Sequence, residues 1–560
     1  LASAARRARS AAPWIALAAG VAFAVAFAAT RNLYDDEVAS FRLATQGYAE
    51  LWREANAHDV HPPGQYALGR LFLGLAGSPR RAMLGPIALL YGSLALFVAA
   101  LLREGELRGG ARALFAAVAV LHPQVAMWGT SLRWQPAWTA LALVSLVLAL
   151  GLGRRRAAHP HANDDDALVP TLPAQVGAGL ALAGMLYLNY LTIPFAVALA
   201  VGVALRFGIA PARPRRVARL ALPFAIAAFA FAPQLSPMWH VHMQATQAQV
   251  ANRLMVLLKL VPGAVVGEPL LPFHPLAVLF AVATLPLLAL LASALVRHAR
   301  ARGLASGPQP AWVAIAGVYA ALFALALATG LGRKPRSFVV LGPLFAYLFA
   351  FAWQRVRRGA LRGAVVALVA AWIATSLAHL WLRVGTSKTG FNDHYEEVVA
   401  FARSTARGRP AVFFTHDPAL AFALHEHARA SDDPWVACSV APDWYHGVDC
   451  AAARGVPPRF ERVFLVTGYV GSFLAQRAQL AAAIDAVGHS IDVERRGELG
   501  RDRDAAMKRR LPGALAKLTP DYRFTVFEGP PRPGFALERR AADYQALAPP
   551  PGAAPVRGDE

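Results

Sequence analysis

The chain has 560 residues, of which 56% are hydrophobic and only 16% charged, and its mean hydropathy is positive. A soluble protein with so many apolar runs would aggregate, so the composition indicates an integral membrane protein. The formal net charge of +22 would suit nucleic-acid binding. That class is disfavoured by the charge distribution: residues up to Gly385 include 34 Lys and Arg against 12 Asp and Glu, whereas the later residues include 22 of each.

Apolar stretches recur between Pro13 and Leu382. Each is near the roughly 20 residues that cross about 30 Å of hydrocarbon, and together they predict about 11 transmembrane helices. The predicted spans are 13–30, 83–102, 111–128, 136–152, 174–190, 191–207, 217–235, 275–296, 311–331, 337–353 and 361–382.

Arginines cluster in alternate loops between these spans, which indicates that those loops are cytoplasmic. With the N-terminus inside, an odd number of spans places the C-terminal part outside. The arginine-rich loops are 103–112, 154–156, 206–219, 297–302 and 355–362.

The chain changes character after residue 385. Short β-type runs at Ala411–Thr415, Arg462–Thr467 and Tyr522–Phe527 alternate with helical stretches at 419–429 and 471–487. The fold class is therefore an all-α polytopic membrane domain, 1–385, followed by a small α/β extracytoplasmic domain, 386–547. The Pro/Ala/Gly-rich end, 548–560, is predicted to be disordered.

The only two cysteines, Cys438 and Cys450, both lie in this outer domain. An oxidising compartment would permit a disulfide between them, and two free buried thiols are the alternative.

The first outer loop, 31–80, contains six of the seven acidic residues predicted on the outer side of the membrane domain. Asp35, Asp36 and Glu37 follow the first span directly, where a carboxylate can act as a base towards a hydroxyl group. His61 precedes Pro62 and Pro63, which make a rigid entry to the next segment. The plain alternatives are three solvated acids and a loop that ends at two prolines.

A second outer loop, Gly332–Ser337, breaks the charge rule because it carries Arg333, Lys334 and Arg336. Three cations at the end of a span form a good anion site. Alternatively, they reach lipid headgroups by snorkelling.

The Asp36-Glu37 pair after the first span, followed in the same loop by His61-Pro62-Pro63, resembles the polytopic GT-C glycosyltransferases. The nearest branch contains protein O-mannosyltransferases, the lipid A aminoarabinose transferase and lipopolysaccharide galacturonosyltransferases. Weaker similarities lie at 131–134 (SLRW) and 336–338 (RSF). The family often has Arg followed by Tyr at these two places, whereas this sequence has Trp134 after Arg133 and Ser337-Phe338 after Arg336. The motif evidence for Arg133 and Arg336 is therefore weaker than that for the acidic pair.

The resemblance implies a GT-C-type enzyme that transfers a sugar, with inversion, from a polyprenyl-phosphate donor to an acceptor hydroxyl on the outer face of the bilayer. The acceptor would be an envelope glycan, a lipid or a protein. Asp36 would be the base, with Asp35 as its substitute, Glu37 as an orienting neighbour and His61 as a positioning group. The predicted phosphate-binding residues are Arg133, Arg333, Lys334 and Arg336.

The Arg- and Ala-rich composition indicates a bacterial protein of the inner membrane, with the N-terminus cytoplasmic and the C-terminal domain periplasmic. The sequence identifies no cofactor with certainty, and a divalent metal held by Asp36 or Glu37 with His240 or His242 stays open. The segment 236–271 has apolar residues at helical spacing and is predicted to be an interfacial helix over a lipid groove, with a plain surface helix as the alternative.

The main alternative is a transporter or flippase of lipid-linked saccharides, which would place ionisable residues inside its spans. The predicted spans contain no Asp, Glu or Lys, and their arginines, Arg112, Arg206, Arg219 and Arg362, stand at the span ends next to the arginine-rich loops. A lipid-linked glycan polymerase or ligase and a non-catalytic membrane scaffold stay open as well.

Overall fold

A computed structural model of the chain describes most residues up to 239 and discrete stretches after it. The described residues are 2–31, 33, 35–58, 61–153, 169–207, 214–239, 280, 282, 289, 293, 296–297, 300, 309–328, 339–356, 359–382, 395–406, 408–415, 418–431, 434–439, 448–452, 460–468, 495–509, 523–531, 539–540 and 544–547.

The chain divides into two compact units. The first unit contains Leu1–Thr30 and Ser40–Leu382. The second contains Arg31–Ala39 and Arg383–Glu560, so the start of the first predicted outer loop groups with the C-terminal part of the chain.

Helices make up the first unit. In chain order they are α1 (Ala2–Thr30), α2 (Asp35–Thr45, whose first turn belongs to the second unit), α3 (Tyr48–His58), α4 (Gly64–Ala76), α5 (Pro79–Ala82), α6 (Leu84–Arg103), α7 (Gly110–Leu121), α8 (Pro123–Trp128), α9 (Trp134–Ala149), α10 (Leu172–Leu188), α11 (Thr192–Phe207), α12 (Pro214–Phe231), a 3-10 turn (Ala232–Gln234), α13 (Gln309–Ala328), α14 (Leu341–Trp353) and α15 (Gly359–Trp381).

Several of these helices are apolar, which gives the chain membrane-protein character. Four helical stretches of the described chain are long and apolar enough to cross a bilayer: Ala11–Thr30, Arg80–Arg103, Pro214–Trp239 and Gly359–Trp381. The other apolar helices are shorter. The predicted number of spans therefore stays a prediction, and span 275–296 falls almost entirely outside the described residues.

The predicted span 111–128 is divided into α7 and α8 at His122, whose backbone is extended (φ −53°, ψ 127°). Pro123 follows His122, and a proline disfavours helical backbone in the residue before it. The His122 side chain caps α8, since its Nδ1 accepts from the backbone N–H of Gln124 at 3.2 Å.

Loops predicted to be cytoplasmic meet at one end of the first unit. Glu104, after α6, accepts from the Gly153 N–H at 2.8 Å and pairs with Arg206 of α11 at 3.3 Å. Gln354, after α14, accepts from the Arg108 N–H at 3.1 Å. These contacts agree with the alternation of helix directions on which the arginine pattern depends.

The second unit contains one mixed sheet with strand order β5-β6-β4-β1-β2-β3-β8-β7. β1 runs parallel to β2 and β4, and the other pairs are antiparallel. The strands are β1 (Ala411–Thr415), β2 (Trp435–Ser439), β3 (Val448–Ala452), β4 (Arg462–Gly468), β5 (Arg495–Leu499), β6 (Phe524–Gly529), β7 (Arg539–Arg540) and β8 (Tyr544–Leu547). The helices are α16 (Tyr395–Ala406), α17 (Pro418–Ser431) and α18 (Arg501–Lys508).

Aromatic side chains form the core of the sheet. Phe413 of β1 stacks on Phe464 of β4 with ring centroids 4.6 Å apart, and it meets Trp435 of β2 edge to face at 5.4 Å. Phe401 of α16 packs on Phe464 at 6.1 Å. Helix α16 therefore packs against the sheet at β4.

Cys438 is disulfide-bonded. Cys450, the other cysteine of the sequence, is its register partner across the antiparallel pair β2 and β3. Opposed positions on such a pair lie within the range of Cα separations that a disulfide spans.

Candidate functional site

The three acids after α1 occupy the first turn of α2, where the helix dipole favours negative charge. Glu37 is fully buried and forms a bidentate pair with Arg31: Nη1 donates to Oε2 at 2.7 Å and Nη2 to Oε1 at 2.5 Å. Neither side chain has exposed surface. Asp35 and Asp36 are placed by their backbone, and their side chains lie outside the described part of the structure.

This pair closes a short loop between α1 and α2. A bidentate arginine–carboxylate contact fixes orientation as well as distance. Glu37 is thus held at the third position of α2, and the backbone of the two preceding aspartates is held with it. Sequence reasoning treated Glu37 as an orienting neighbour but did not identify Arg31 as its partner.

His61 lies in the turn before α4. Pro62 and Pro63 are buried, and the Pro63 carbonyl accepts from the backbone N–H groups of Tyr66 and Ala67, each at 3.1 Å. Tyr66 packs with Leu43, Leu51 and Ala55 in a buried cluster that joins α2, α3 and α4. The two prolines therefore begin α4 in a fixed position, as their stiffness predicts.

The first unit brings His61 onto Trp134 and Asn189. The His61 ring is 6.5 Å from the Trp134 ring, and its Nδ1 is 3.4 Å from Asn189 Nδ2. Asn189 Oδ1 accepts from the Leu191 N–H at 2.8 Å, so the amide NH2 group is the end that faces His61. His61 then accepts at Nδ1, and in its neutral form carries its proton on Nε2.

Two further hydrogen bonds link Asn189 to Trp138 through Thr192. The Trp138 indole N–H donates to the Thr192 hydroxyl at 2.7 Å, and that hydroxyl donates to the Asn189 carbonyl at 2.7 Å. Trp134 meets Trp138 edge to face at 5.9 Å. We call His61, Trp134, Trp138, Asn189 and Thr192 the His61 cluster. It joins the start of α4, the start of α9 and the break between α10 and α11.

Arg133 is the residue before α9 and lies beside Trp134 in the chain. It has an extended backbone and is 9% exposed. Nearly every residue from 122 to 140 is buried, including the loop between α8 and α9. A loop that joins two apolar helices and is entirely buried must line an internal site or pack against protein, because lipid cannot satisfy its polar groups. Arg133 places a permanent positive charge at that position.

The other predicted phosphate-binding residues, Arg333, Lys334 and Arg336, lie outside the described residues, as do His240 and His242. Among the residues that the structure describes, no group of three His, Cys, Asp or Glu side chains could hold a metal ion. The acids of α2 belong to the second unit, and His61 and Arg133 to the first.

Sequence reasoning identified His61 and Arg133 but not what surrounds them. Asn189 and Thr192 were visible only as a break between two apolar runs. Gln135 and Thr139, both fully buried, were hidden because each stands alone among apolar neighbours of α9. The signal that could have revealed them was the unusual density of polar residues between 122 and 139 for a chain segment flanked by spans.

No family model matches the sequence, and no curated protein matches it. The solved structures that are similar to the chain include two of ArnT. One is ArnT from Cupriavidus metallidurans in the apo state, at 16% identity over 93% of this chain and 98% of that chain, with a TM-score of 0.46. The other is ArnT from Cupriavidus metallidurans bound to undecaprenyl phosphate, at 14% identity over 92% and 97%, with a TM-score of 0.47.

ArnT, a lipid A aminoarabinose transferase, is of the GT-C branch that the sequence motifs resemble.

Proposed function

We propose that this chain is a membrane glycosyltransferase that moves a sugar from a polyprenyl-phosphate donor to an acceptor hydroxyl on the outer face of the bilayer. The observation that carries the proposal is the buried Arg133 beside the His61 cluster, at one end of a unit of apolar helices. A cation in that position suits a lipid phosphate, because the lipid chain can lie along the helices while its headgroup meets the arginine.

Arg133 has the role of stabilising the leaving group. When the bond between the anomeric carbon and the phosphate oxygen breaks, negative charge develops on the polyprenyl phosphate. A guanidinium can donate two parallel hydrogen bonds to phosphate oxygens, and its charge is worth most in a site without bulk water. Arg333, Lys334 and Arg336 are proposed to complete the anion site.

Asp36 has the role of the base. It takes the proton from the acceptor hydroxyl as that oxygen attacks the anomeric carbon from the face opposite the phosphate, which inverts the configuration. Asp35 is its substitute. Glu37 is unsuited to proton transfer because Arg31 holds both of its carboxylate oxygens. Its role is to fix the first turn of α2.

His61 positions the acceptor. Asn189 fixes the imidazole from one side and Trp134 from another, so the ring is held where its hydrogen bonds can orient a hydroxyl group. The C-terminal α/β domain is proposed to be periplasmic, which suits the disulfide of Cys438. An envelope glycan, a lipid or a protein is the proposed class of acceptor.

The test is transfer of radiolabelled sugar from polyprenyl-phosphate donors by the purified protein in lipid, across a panel of envelope acceptors. We expect transfer by the wild type and none by Asp36→Asn. Glu50→Gln is the matched control, since Glu50 is an exposed acid of the same predicted outer loop and should be dispensable.

Equal transfer by wild type and Asp36→Asn would show that Asp36 is not the base. If neither protein transfers sugar from any donor, but the wild type carries the lipid-linked sugar from one leaflet of a vesicle to the other, the transporter alternative replaces the enzyme.

A further inference from the structure

Helix α9 carries polar side chains whose burial is not explained by contacts with the residues that the structure describes. Gln135 and Thr139 are both 0% exposed. Gln135 Oε1 and Nε2 and Thr139 Oγ1 have no hydrogen-bond partner among the described residues. Positions four apart lie on the same face of a helix, so these groups are neighbours.

Nearby hydroxyl groups have hydrogen-bond partners, in contrast to these atoms of Gln135 and Thr139. Ser145, further along α9, donates to the Ala142 carbonyl at 2.8 Å. Thr130, before α9, donates to the Met127 carbonyl at 2.9 Å. Thr139 could in principle bond back to its own helix in the same way, and it does not. A buried amide or hydroxyl left unbonded costs free energy, so an apolar side chain would serve packing better at both positions.

Their place in the fold points to a ligand. Gln135 is the second residue of α9, two positions after Arg133, and Thr139 is one turn further on. Between Arg133 and Gln135 stands Trp134, whose buried Nε1 also has no hydrogen-bond partner among the described residues and whose ring contacts His61. Three neutral hydrogen-bonding groups therefore follow directly after the proposed phosphate-binding arginine.

We propose that Gln135 and Thr139, with the Trp134 indole N–H, form the subsite that receives the hydroxyl groups of the donor sugar. This inference rests on the proposed function and adds to it the residues that distinguish one sugar from another. A primary amide and a hydroxyl both donate and accept, as sugar hydroxyls do, and they carry no charge that would compete for the phosphate. Discrimination by such groups is strong, because a sugar that lacks the matching hydroxyl leaves them unpaired.

The test separates a ligand site from a structural role by measuring stability and binding together. Gln135→Met and Thr139→Val remove the polar atoms at nearly constant shape. If these atoms serve a ligand, the double variant unfolds at the same temperature as the wild type or higher. If they hold the protein together, it unfolds at a lower temperature, and the proposal is overturned.

Binding is measured with undecaprenyl phosphate and with the same lipid carrying glucose, galactose, mannose or an aminopentose. We expect the wild type to bind one of the sugar-bearing lipids more tightly than the bare lipid. The double variant should lose roughly tenfold of that preference, as expected for two neutral hydrogen bonds, while its affinity for the bare lipid is unchanged.

Two control variants test whether the loss of sugar preference is specific to the polar atoms of Gln135 and Thr139. Thr139→Ser retains the hydroxyl and should retain the sugar preference. Gln175→Met removes another fully buried glutamine without a partner among the described residues, in the first turn of α10. Helices α9 and α10 are antiparallel, as Gly184 lies against Leu141 and Gly177 against Leu148. Gln175 is therefore far from the start of α9, and its replacement should leave the sugar preference intact.

Because binding is measured without turnover, the subsite and the enzyme can fail separately. Transfer that depends on Asp36, with a sugar preference that is the same in wild type and double variant, would leave the function standing and refute the subsite. Absence of transfer, with a preference that falls in the double variant, would refute the enzyme and support the sugar site. A wild type that binds all the lipids equally would also refute the subsite.

Discussion

At the scale of single residues, the buried pair Arg31 and Glu37 has the sharpest consequence. Replacing Arg31 with Met leaves the Glu37 carboxylate buried without its partner, and breaking such a pair costs about 3–5 kcal/mol of stability. We expect Arg31→Met to unfold at a clearly lower temperature in detergent and to lose transfer. Arg31→Met combined with Glu37→Met should recover most of the stability, because apolar replacement of both partners is often neutral. A single variant as stable as the wild type would contradict this account.

Arg133 gives a second prediction at this scale. Arg133→Met should lower kcat/KM for transfer by about 100- to 1000-fold, which is the usual cost of removing one contact that stabilises transition-state charge. Arg133→Lys should recover part of the loss, since it restores charge but not the planar donor pair. Arg53→Met is the control, because Arg53 is an exposed arginine of α3. Equal rates for Arg133→Met and wild type would remove Arg133 from the mechanism.

At the scale of elements, the position of His61 depends on the contact between α4 and α10. A Cβ atom on Gly64, the first residue of α4, would lie under 3.0 Å from the backbone carbonyl oxygen of Tyr187 in α10. Gly64→Ala should therefore push α4 away and displace His61, with a loss of both stability and transfer. Gly74→Ala is the matched control in the same helix, because a Cβ there meets nothing within 4 Å.

Gly74→Ala should raise stability by about 0.5–1 kcal/mol, since alanine is the better helix former. Thermal unfolding of both variants in the same detergent tests the pair. Similar unfolding temperatures for Gly64→Ala and Gly74→Ala would show that the helices can separate at little cost.

The elements also show what sequence reasoning could reach. Apolar runs predicted the positions of α6, α9, α10 and α11, because the apolar residues that bury such a helix are consecutive in its own sequence. The break at His122 and the burial of 122–140 were not predicted, since both depend on the helices that surround this segment. The strands at 435–439 and 448–452 were missed for the same reason. Each segment is short and forms a strand only by pairing with its neighbours in the sheet.

For the candidate site, motif and charge point to Asp36, His61 and Arg133, whose catalytic roles stay predictions. The partner of Glu37 and the support for His61 were not predicted, because an isolated Arg or Asn in a loop is ordinary in any sequence. Such partners become visible only when distant segments meet, as Asn189 and His61 do in the first unit.

At the scale of the whole molecule, the function depends on the C-terminal domain lying outside the cell membrane. Arginine-rich loops predict that the N-terminus is inside, and contacts such as Glu104 with Arg206 gather those loops at one end. The disulfide of Cys438 suits an oxidising compartment, which is the predicted location of the C-terminal domain. Alkaline phosphatase, whose own disulfides form only after export, should be active when fused after Leu547 and inactive when fused after Gly153.

If the C-terminal domain is periplasmic, loss of its disulfide should lower the stability of the domain. The double substitution Cys438→Ser and Cys450→Ser removes the disulfide and the short loop that it closes. A disulfide over a loop of about this length contributes about 3 kcal/mol of stability. The domain should therefore become more susceptible to protease added to spheroplasts. The paired serine variant should behave like the wild type treated with reductant. A phosphatase fusion after Leu547 that is inactive, together with cysteines that label freely inside the cell, would place the domain in the cytoplasm. Transfer on the outer face would then have to be abandoned, since the outer location of the α2 acids is predicted from the same arginine pattern as that of the C-terminal domain.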